Sequence, residues 1–205
     1  MKKSLEYGLT VTFAILLSLS TSQNANARQE GGEPQMSPEA QAEMAAWMKL
    51  AQPGEHHKHL APFEGKWKSQ IKMWMDPGAE PMLNEAEAEA RWVMDGRFLE
   101  CNYSGDFAGS PYLGRGFDGY NNGDERYETI VFDNFGTLFV LYTGACSDNG
   151  KSRTMNGEFS NPMTGGKIQQ RGVFTWIDDD HFKYEMYMTR DDEEYKNMEM
   201  LYERQ

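Results

Sequence analysis

Residues 65–75 read GKWKSQIKMWM, and their alternation recurs along most of the chain that follows. One face of this segment consists of alternate residues from the tryptophan onward: Trp67, Ser69, Ile71, Met73 and Met75. The positions between them up to residue 72 are lysine or glutamine. A period of two with one apolar face indicates a β-strand that is buried on one side only.

Similar segments continue to the C-terminus and are joined by turns rich in Gly, Asn, Asp and Pro. The predicted strands are 66–75, 85–94, 97–106, 116–120, 126–133, 137–146, 153–159, 167–177, 182–190 and 195–204. Residues 107–114 (FAGSPYLG) are interpreted as a loop. No long helix separates the strands, so the connections are antiparallel. Such a sheet removes its exposed edges by closing. The expected fold class is all-β, a closed antiparallel up-and-down barrel of about ten strands with one N-terminal helix.

Closure of the barrel places the first strand beside the last. Arg204 shares the inner face of the last strand with Met198, Met200 and Tyr202, so we expect its guanidinium to stack on the Trp67 indole. The inner face of the second strand carries three alanines, Ala86, Ala88 and Ala90, followed by Trp92. These small side chains leave room for a closely packed helix or for an open interior.

Residues 1–27 are interpreted as a signal peptide. Lys2 and Lys3 precede a mostly apolar run from Gly8 to Leu19, and Ala25-Asn26-Ala27 supplies a small-x-small site with cleavage after Ala27. The expected location is the periplasm or the extracellular space. Residues 28–36 are polar and are expected to be a disordered lead-in.

Residues 37–205 are expected to form a single domain that begins with a helix over 37–51. Ser37-Pro38-Glu39 is typical of a helix start, and Pro53-Gly54 ends the helix. Met44, Trp47, Met48 and Ala51 form one apolar stripe. A helix this short is unstable alone, so we expect the stripe to pack on the mouth or the wall of the barrel.

The chain is acidic, with a formal charge of −12. Removing residues 1–27 takes away Lys2, Lys3 and Glu6 and changes the charge to about −13. Because an acidic surface repels nucleic acid and anionic lipid, neither is an expected partner. No membrane span is expected after the leader is removed.

Two kinds of residue raise the question of a metal or redox site. His56, His57 and His59 form a local cluster, but no distant ligand completes a coordination shell, and a solvated surface or helix-end role is favoured. Cys101 and Cys146 lie three strands apart in the predicted sheet, roughly 12–14 Å, whereas a disulfide needs Cα atoms within about 7 Å. No metal is predicted, and the sequence leaves the cofactor unknown.

Several motifs agree in order with those of a bacterial family. They are residues 37–67, RWVMDGRFLE (91–100), FDGYNN (117–122), NPMTG (161–165), DDDHFKYEMY (178–187) and MEMLYER (198–204). Over about residues 36–205 the chain resembles the family catalogued as domain of unknown function 1579. The Gly-x-Trp opening and the terminal arginine are also similar to the calycin group, which includes lipocalins, fatty-acid-binding proteins and nitrobindins. That resemblance implies a closed barrel that often holds a small apolar ligand, with structural roles for Gly65, Trp67 and Arg204.

The leading functional hypothesis is a barrel that binds a small hydrophobic or amphipathic molecule in its interior. The candidate ligand-binding residues are Ile71, Met73, Trp92, Arg97, Tyr103, Gln170, Phe174, Trp176, Tyr184, Met186, Met188, Met198 and Met200. Arg97 or Gln170 would fix a polar end of the ligand. The same side chains would equally make a filled core, and the alanines favour a cavity.

Three alternatives stay open. Haem binding would need an inward axial ligand, and His181 is out of phase with the inner face. An enzyme would have to use the turn carboxylates Asp133 and Asp178–Asp180 with His181, although turn carboxylates are usually solvated. A purely structural or protein-interaction barrel is the third alternative.

Overall fold

The computed structural model describes residues 36–161, 164–190 and 193–205. Within these ranges, ten antiparallel strands follow one another in sequence order around a closed barrel, and β1 pairs with β10. The strands are β1 (Gly65–Met73), β2 (Met82–Val93), β3 (Phe98–Phe107), β4 (Ser110–Asn121), β5 (Arg126–Asp133), β6 (Val140–Ser147), β7 (Ser152–Ser160), β8 (Lys167–Trp176), β9 (His181–Arg190) and β10 (Glu193–Arg204). They are preceded by α1 (Pro38–Leu50), α2 (Glu55–Lys58) and a 3₁₀ helix (Ala61–Phe63). The predicted fold class is confirmed. The predicted signal peptide and most of the lead-in lie outside the described residues.

The predicted contact between the first and the last strand is present. Trp67 and Arg204 are register partners, and the guanidinium carbon lies 4.2 Å from the centre of the Trp67 ring. The same guanidinium donates hydrogen bonds of 2.8 Å to the carbonyl oxygens of Glu64 and Pro62. Gly65 has a φ of +124°, and a Cβ at this position would lie 2.9 Å from Arg204 Nη1. The close approach of the arginine and the unusual backbone angle therefore both require glycine here.

The segment interpreted as a loop, residues 107–114, is instead a tight hairpin between β3 and β4. Phe107 pairs with Ser110 across a two-residue turn at Ala108 and Gly109, both of which have positive φ. Their positive φ angles suit the right-handed twist of the flanking strands. The glycine, serine and proline in this stretch suggested a loop because they interrupt the apolar alternation. Strand β6 also begins later than predicted, at Val140.

One end of the barrel is sealed by the segment that precedes β1. Leu60 is fully buried against Tyr127, Tyr142 and Met155. Phe63 packs in a second cluster at the same end, and its carbonyl oxygen accepts a 2.9 Å hydrogen bond from Trp67 Nε1. The chain thus closes this end with its own side chains just before it enters the sheet, and residues 60–64 form the plug of the barrel.

Helix α1 does not pack as the sequence suggested. Ser37 caps it, since the Ala40 amide donates to Ser37 Oγ at 3.2 Å, but no residue of the helix is buried. Trp47 is 64% exposed and Met48 is 58% exposed. Contacts to the barrel begin at the end of the helix, where the side chain of Asn122 donates to the carbonyl oxygens of Leu50 and Gln52. The apolar stripe therefore faces solvent rather than the mouth or the wall of the barrel.

Both cysteines are free thiols, on β3 and β6. Cys101 is buried and Cys146 is half-buried. Desolvation raises the pKa of each thiol, so neither is activated as a nucleophile.

Candidate functional site: an apolar barrel cavity with a polar floor

The barrel encloses a cavity of about 560 Å³ beyond the sealed end. Its lining comes from the inward positions of the strands and from the loop between β5 and β6. A volume of roughly 300–1,000 Å³ is usual for sites that hold one small molecule. The interior is therefore not completely filled by side chains. Of the two arrangements that the sequence allowed, a filled core and a cavity, the structure has the cavity.

The wall of the cavity combines small, flexible and aromatic side chains. Ala86 and Ala88 on β2 line the cavity, as expected from their position on the inner face, and their small side chains take up little of its volume. Met73 stands opposite Met198 on the neighbouring strand, and Met198 stands opposite Met186 on the next. The tyrosines that line the cavity are Tyr103, Tyr112, Tyr142, Tyr184 and Tyr202. Thioether side chains adapt to irregular shapes, so this wall suits guests of varied outline.

The phenols in the wall are neutral. Burial raises the pKa of Tyr112 and Tyr142 to about 12. It raises the pKa of Tyr103 and Tyr184 well above the usual value for tyrosine. The Tyr142 hydroxyl donates to Gln170 Oε1, and Gln170 Nε2 lies 3.3 Å from the sulfur of Met186. The wall thus offers hydrogen-bonding groups without adding charge at neutral pH.

The entrance lies at the end away from the plug and is lined by aromatic residues. Phe135 lines the cavity although it is 51% exposed, and its ring packs on Phe107 at 5.6 Å and on Tyr112 at 6.0 Å between centroids. The loop that carries Phe135 is tied to β4, because Asn134 and Leu113 exchange hydrogen bonds of 2.8 and 3.0 Å. A molecule that enters the cavity passes this aromatic rim.

Two asparagines place polar atoms in the wall on either side of β1. Asn84 on β2 and Asn197 on β10 both line the cavity. Asn84 Nδ2 and Asn197 Oδ1 are buried and have no hydrogen-bond partner among the described residues. Buried polar atoms normally find partners, so these two groups are available to a bound molecule or to water.

A charged pair lies at the floor of the cavity, next to the sealed end. Asp118 on β4 lines the cavity, and its Oδ1 lies 3.2 Å from Nη1 of Arg153 on β7. The Thr129 hydroxyl donates to the same oxygen. Among the residues that the structure describes, Oδ2 accepts a weak hydrogen bond from the Cys101 thiol, with a sulfur-to-oxygen distance of 3.9 Å. Oδ2 therefore retains capacity to accept a stronger hydrogen bond.

The Arg153 guanidinium is buried with almost no hydrogen bonding. The residue is 2% exposed, and Nε, Nη1 and Nη2 all lack a hydrogen-bond partner among the described residues. The guanidinium carbon, Cζ, lies 4.6 Å from the centre of the Phe174 ring and 5.1 Å from the centre of the Phe63 ring. Aromatic faces and one ion pair stabilise the charge, but the N–H groups stay unsatisfied. Unsatisfied buried donors are costly, and this guanidinium is not part of the cavity lining but lies directly behind Asp118.

Most of the candidate binding residues line the cavity. These are Ile71, Met73, Tyr103, Gln170, Phe174, Tyr184, Met186, Met198 and Met200. Their role in binding stays a prediction.

Four candidates lie elsewhere, which corrects their expected placement. Trp92 and Trp176 pack into the clusters at the sealed end, where the rings of Trp176 and Phe63 are 4.8 Å apart. Arg97 lies in the turn before β3 and donates to the carbonyl oxygens of Ala51 and Met94. Met188, on β9 opposite Gln170, is not among the residues that line the cavity. For Trp92, Trp176 and Arg97 the reason is height along the barrel, because alternation gives the face of a strand and not the level that a side chain reaches.

Sequence reasoning missed Asp118, Thr129 and Arg153. A signal was present, because Asp118 lies in the middle of a predicted strand and shares the phase of Gly116 and Tyr120. A charged residue on an inward phase is unusual in a β-barrel and indicates a buried partner. Arg153 has the same phase as Met155, which lines the cavity.

The histidines lie away from the cavity. His59 Nδ1 lies 2.8 Å from the Tyr127 hydroxyl, and His57 Nδ1 accepts from the Gly54 amide at 3.0 Å. Burial lowers the pKa of His57. Within the described residues, no three His, Cys, Asp or Glu side chains are grouped to hold a metal ion. A haem in the cavity would need an axial ligand other than histidine.

The turn carboxylates proposed for catalysis are not brought together. Asp178 Oδ1 and His181 Nδ1 form a 2.7 Å pair on the surface at the sealed end. Asp133 ends β5 at the entrance and accepts from the Phe135 amide at 2.8 Å. The two groups therefore occupy opposite ends of the barrel. In the part of the chain that the structure describes, no helix is long and apolar enough to cross a bilayer.

Comparison with one solved crystal structure agrees with this architecture. The crystal structure of Rv2717c from M. tuberculosis is similar with a TM-score of 0.55 and 17% identity, over 75% of this chain and 99% of that chain. A redesigned β-barrel, b11L5F_LGL, has a TM-score of 0.38 and 14% identity, over 72% of this chain and 95% of its own. The structure of EF1p2_mFAP2b bound to DFHBI has a TM-score of 0.41 and 10% identity, over 73% of this chain and 98% of its own. No curated protein matches the chain.

The family comparison covers most of the sequence. A family described as "Protein of unknown function (DUF1579)" matches residues 52–204, which include α2, the 3₁₀ helix and all of the strands described above. The match thus extends from the plug to the arginine that closes the barrel. The chain belongs to the DUF1579 family of proteins of unknown function.

Proposed function

We propose that the barrel binds a small apolar or amphipathic molecule in its interior. The observation that carries this proposal is the cavity of about 560 Å³, which is sealed at one end and lined mainly by methionine, tyrosine, phenylalanine and alanine. Enclosed apolar surface binds apolar ligands because it removes their surface from water, at roughly 25 cal/mol per Å². A few fixed polar groups then set the orientation.

The distribution of polar groups supports an amphipathic ligand. The floor presents Asp118 and Thr129, with Arg153 directly behind them. The middle of the cavity offers Gln170 and the tyrosines. An apolar body would lie against the methionine wall, and a polar end would reach the floor. Arg97 has no part in this arrangement, because it lies outside the cavity at the sealed end.

Binding of Nile red, a neutral apolar dye, tests the proposal. The wild-type barrel should increase its fluorescence, and native mass spectrometry of the purified protein should show any molecule that is carried along. Replacing Ala86 by phenylalanine fills part of the cavity and should weaken dye binding. The matched control is Ala79→Phe, which makes the same change at an exposed turn position.

The expected order is that Ala86→Phe binds the dye weakly while Ala79→Phe binds it as the wild type does. Equal binding by all three proteins would place the dye on the surface and contradict the proposal. Absence of binding by the wild type to Nile red and to a panel of apolar compounds would also contradict it.

We propose further that the protein acts outside the cytoplasm, because residues 1–27 have the composition of a cleaved signal peptide. The intact mass of protein recovered from the periplasm or the medium should correspond to a chain that starts at Arg28. A mass that retains residues 1–27 would contradict the proposal.

A further inference from the structure

The floor of the cavity contains two opposite charges that neutralise each other. Asp118 and Arg153 are both buried, and their charged atoms are 3.2 Å apart. Other carboxylates that line the cavity lie elsewhere: Asp106 and Asp133 are near the strand ends at the entrance, and Glu87 has the outward phase of β2. The phenols and the Cys101 thiol near the floor are neutral, because burial raises their pKa values. The net charge at the floor is therefore close to zero.

Hydrogen bonding at the floor is incomplete on both sides of this pair. Among the described residues, Arg153 has donors without partners, and Asp118 Oδ2 accepts a weak thiol contact. Arg153 lies behind Asp118 and is not part of the cavity lining, so a group that fits must donate to the carboxylate. It must also be neutral, because an added charge would be buried without a counter-ion of its own.

We infer that the floor takes a neutral polar head group that donates a hydrogen bond to Asp118, such as a primary amide or an alcohol at the end of an apolar chain. This inference rests on the proposed function, because it assigns the end of a ligand whose body lies in the cavity. An amide N–H or an alcohol O–H would donate to Asp118 Oδ2, while Arg153 balances the charge of the carboxylate from behind. A carboxylate would be repelled by Asp118, and an ammonium group would be repelled by Arg153.

A series of ligands with one tail and four head groups tests the inference. Decanamide, decanol, decanoate and decylammonium each compete with Nile red at neutral pH, where the last two are ionised. The wild-type barrel should bind the amide and the alcohol about tenfold more tightly than either ion, which corresponds to one charge-assisted hydrogen bond made or lost.

Two variants should shift the preference in opposite directions. Asp118→Asn leaves the guanidinium as the net charge at the floor, so decanoate should gain affinity relative to the amide. Arg153→Met leaves the carboxylate, so decylammonium should gain instead. A change in general packing would alter all four ligands together and would not produce opposite shifts.

Either single variant leaves a buried charge without a partner, and such a change is able to prevent folding. The double variant Asp118→Asn/Arg153→Met removes both charges and provides the deciding measurement if the single variants do not fold. Its circular dichroism spectrum should match the wild type, and it should bind decanamide and decanol about tenfold more weakly than the wild type relative to Nile red, because the head group no longer donates to a carboxylate.

Each outcome has a distinct meaning. If the wild type binds decanoate or decylammonium as tightly as the amide, or if the double variant binds the amide and the alcohol as tightly as the wild type does, the inference is overturned while the cavity remains a binding site. If neither Nile red nor any of the four ligands binds, the proposed function fails and the inference fails with it.

Discussion

Replacing Arg204 by methionine should measure how strongly the closure holds the barrel together. Methionine keeps a flexible side chain against the Trp67 ring but removes the guanidinium. The substitution abolishes two hydrogen bonds of 2.8 Å, to the carbonyl oxygens of Glu64 and Pro62, and the cation–π contact at 4.2 Å. Those two carbonyls belong to the segment that seals the barrel, so the arginine connects the plug to the seam between β1 and β10.

The expected loss follows from these contacts. A hydrogen bond to a charged group contributes about 1.5–3 kcal/mol, and a cation–π contact at an exposed site about 0.5–1 kcal/mol. The Arg204 side chain is 31% exposed, so water replaces part of what is lost and the net loss is smaller than even the sum of the lower values. We expect the free energy of unfolding to fall by about 2–3 kcal/mol, which for a chain of this size lowers the Tm by roughly 5–10 °C.

Thermal and urea denaturation followed by circular dichroism provides the assay. Arg204→Lys should give a smaller loss, because lysine keeps the charge but lacks the fork that reaches two carbonyls. The matched control is Arg126→Met, which removes an exposed arginine paired with Asp124 and Glu128 and should change the Tm little. If Arg204→Met unfolds no earlier than Arg126→Met, the closure contact does not stabilise the barrel and the reasoning is refuted.

Three further predictions concern the sealed end and the surface. Leu60→Ala should lower the free energy of unfolding by about 2–5 kcal/mol in urea denaturation, because Leu60 is fully buried in the plug; a loss under about 1 kcal/mol would show that the plug is not part of the core. Asp178→Asn should lower the pKa of His181, because the Asp178 hydrogen bond raises that pKa in the folded protein; an NMR titration that gives the same pKa for both proteins would contradict the contact. A chain that begins at residue 50 should keep the Tm of the longer chain, because α1 buries none of its residues; a clear drop would show that the apolar stripe packs on the barrel.

For His181 and Asp178 the pH dependence has a definite sign. The pKa of His181 is raised, so its contribution to stability is present at low pH and is lost as the pH rises through the folded pKa. The pKa of Asp178 is lowered, so its contribution is lost as the pH falls through the folded pKa. The pair therefore stabilises most between the ordinary pKa values of aspartate and histidine. Asp178→Asn should remove this dependence.

Much of the fold could be predicted because β-structure has a short and regular period. Alternation between apolar and polar residues assigned the inward face of β1 and of β2, and the structure agrees at Trp67, Ser69 and Ala86. The pairing of the first and last strands followed from the need to remove sheet edges, which placed Arg204 beside Trp67. Both inferences use information that lies within a few residues of each position or in the order of the strands.

The short hairpin at residues 107–114 and the exposed α1 show where local patterns were insufficient. Glycine, serine and proline at the hairpin resemble a loop in composition, and only pairing with β3 shows that β4 begins at Ser110. The stripe on α1 has the period of a packed helix, yet Trp47 is mostly exposed. A period shows which residues share a face, but not whether another part of the chain covers that face.

The sequence by itself determined the class of fold, the closing contact and the set of residues that face inward. Only the tertiary structure decided which of those residues reach the cavity and which fill the sealed end. Arg97 and Arg153 illustrate the difference: strand phase alone places both inward, but Arg97 lies in a turn at the sealed end, whereas Arg153 meets Asp118 at the cavity floor. The physical reason is that phase is a property of one strand, while depth and ion pairing depend on the stagger of distant strands around the barrel.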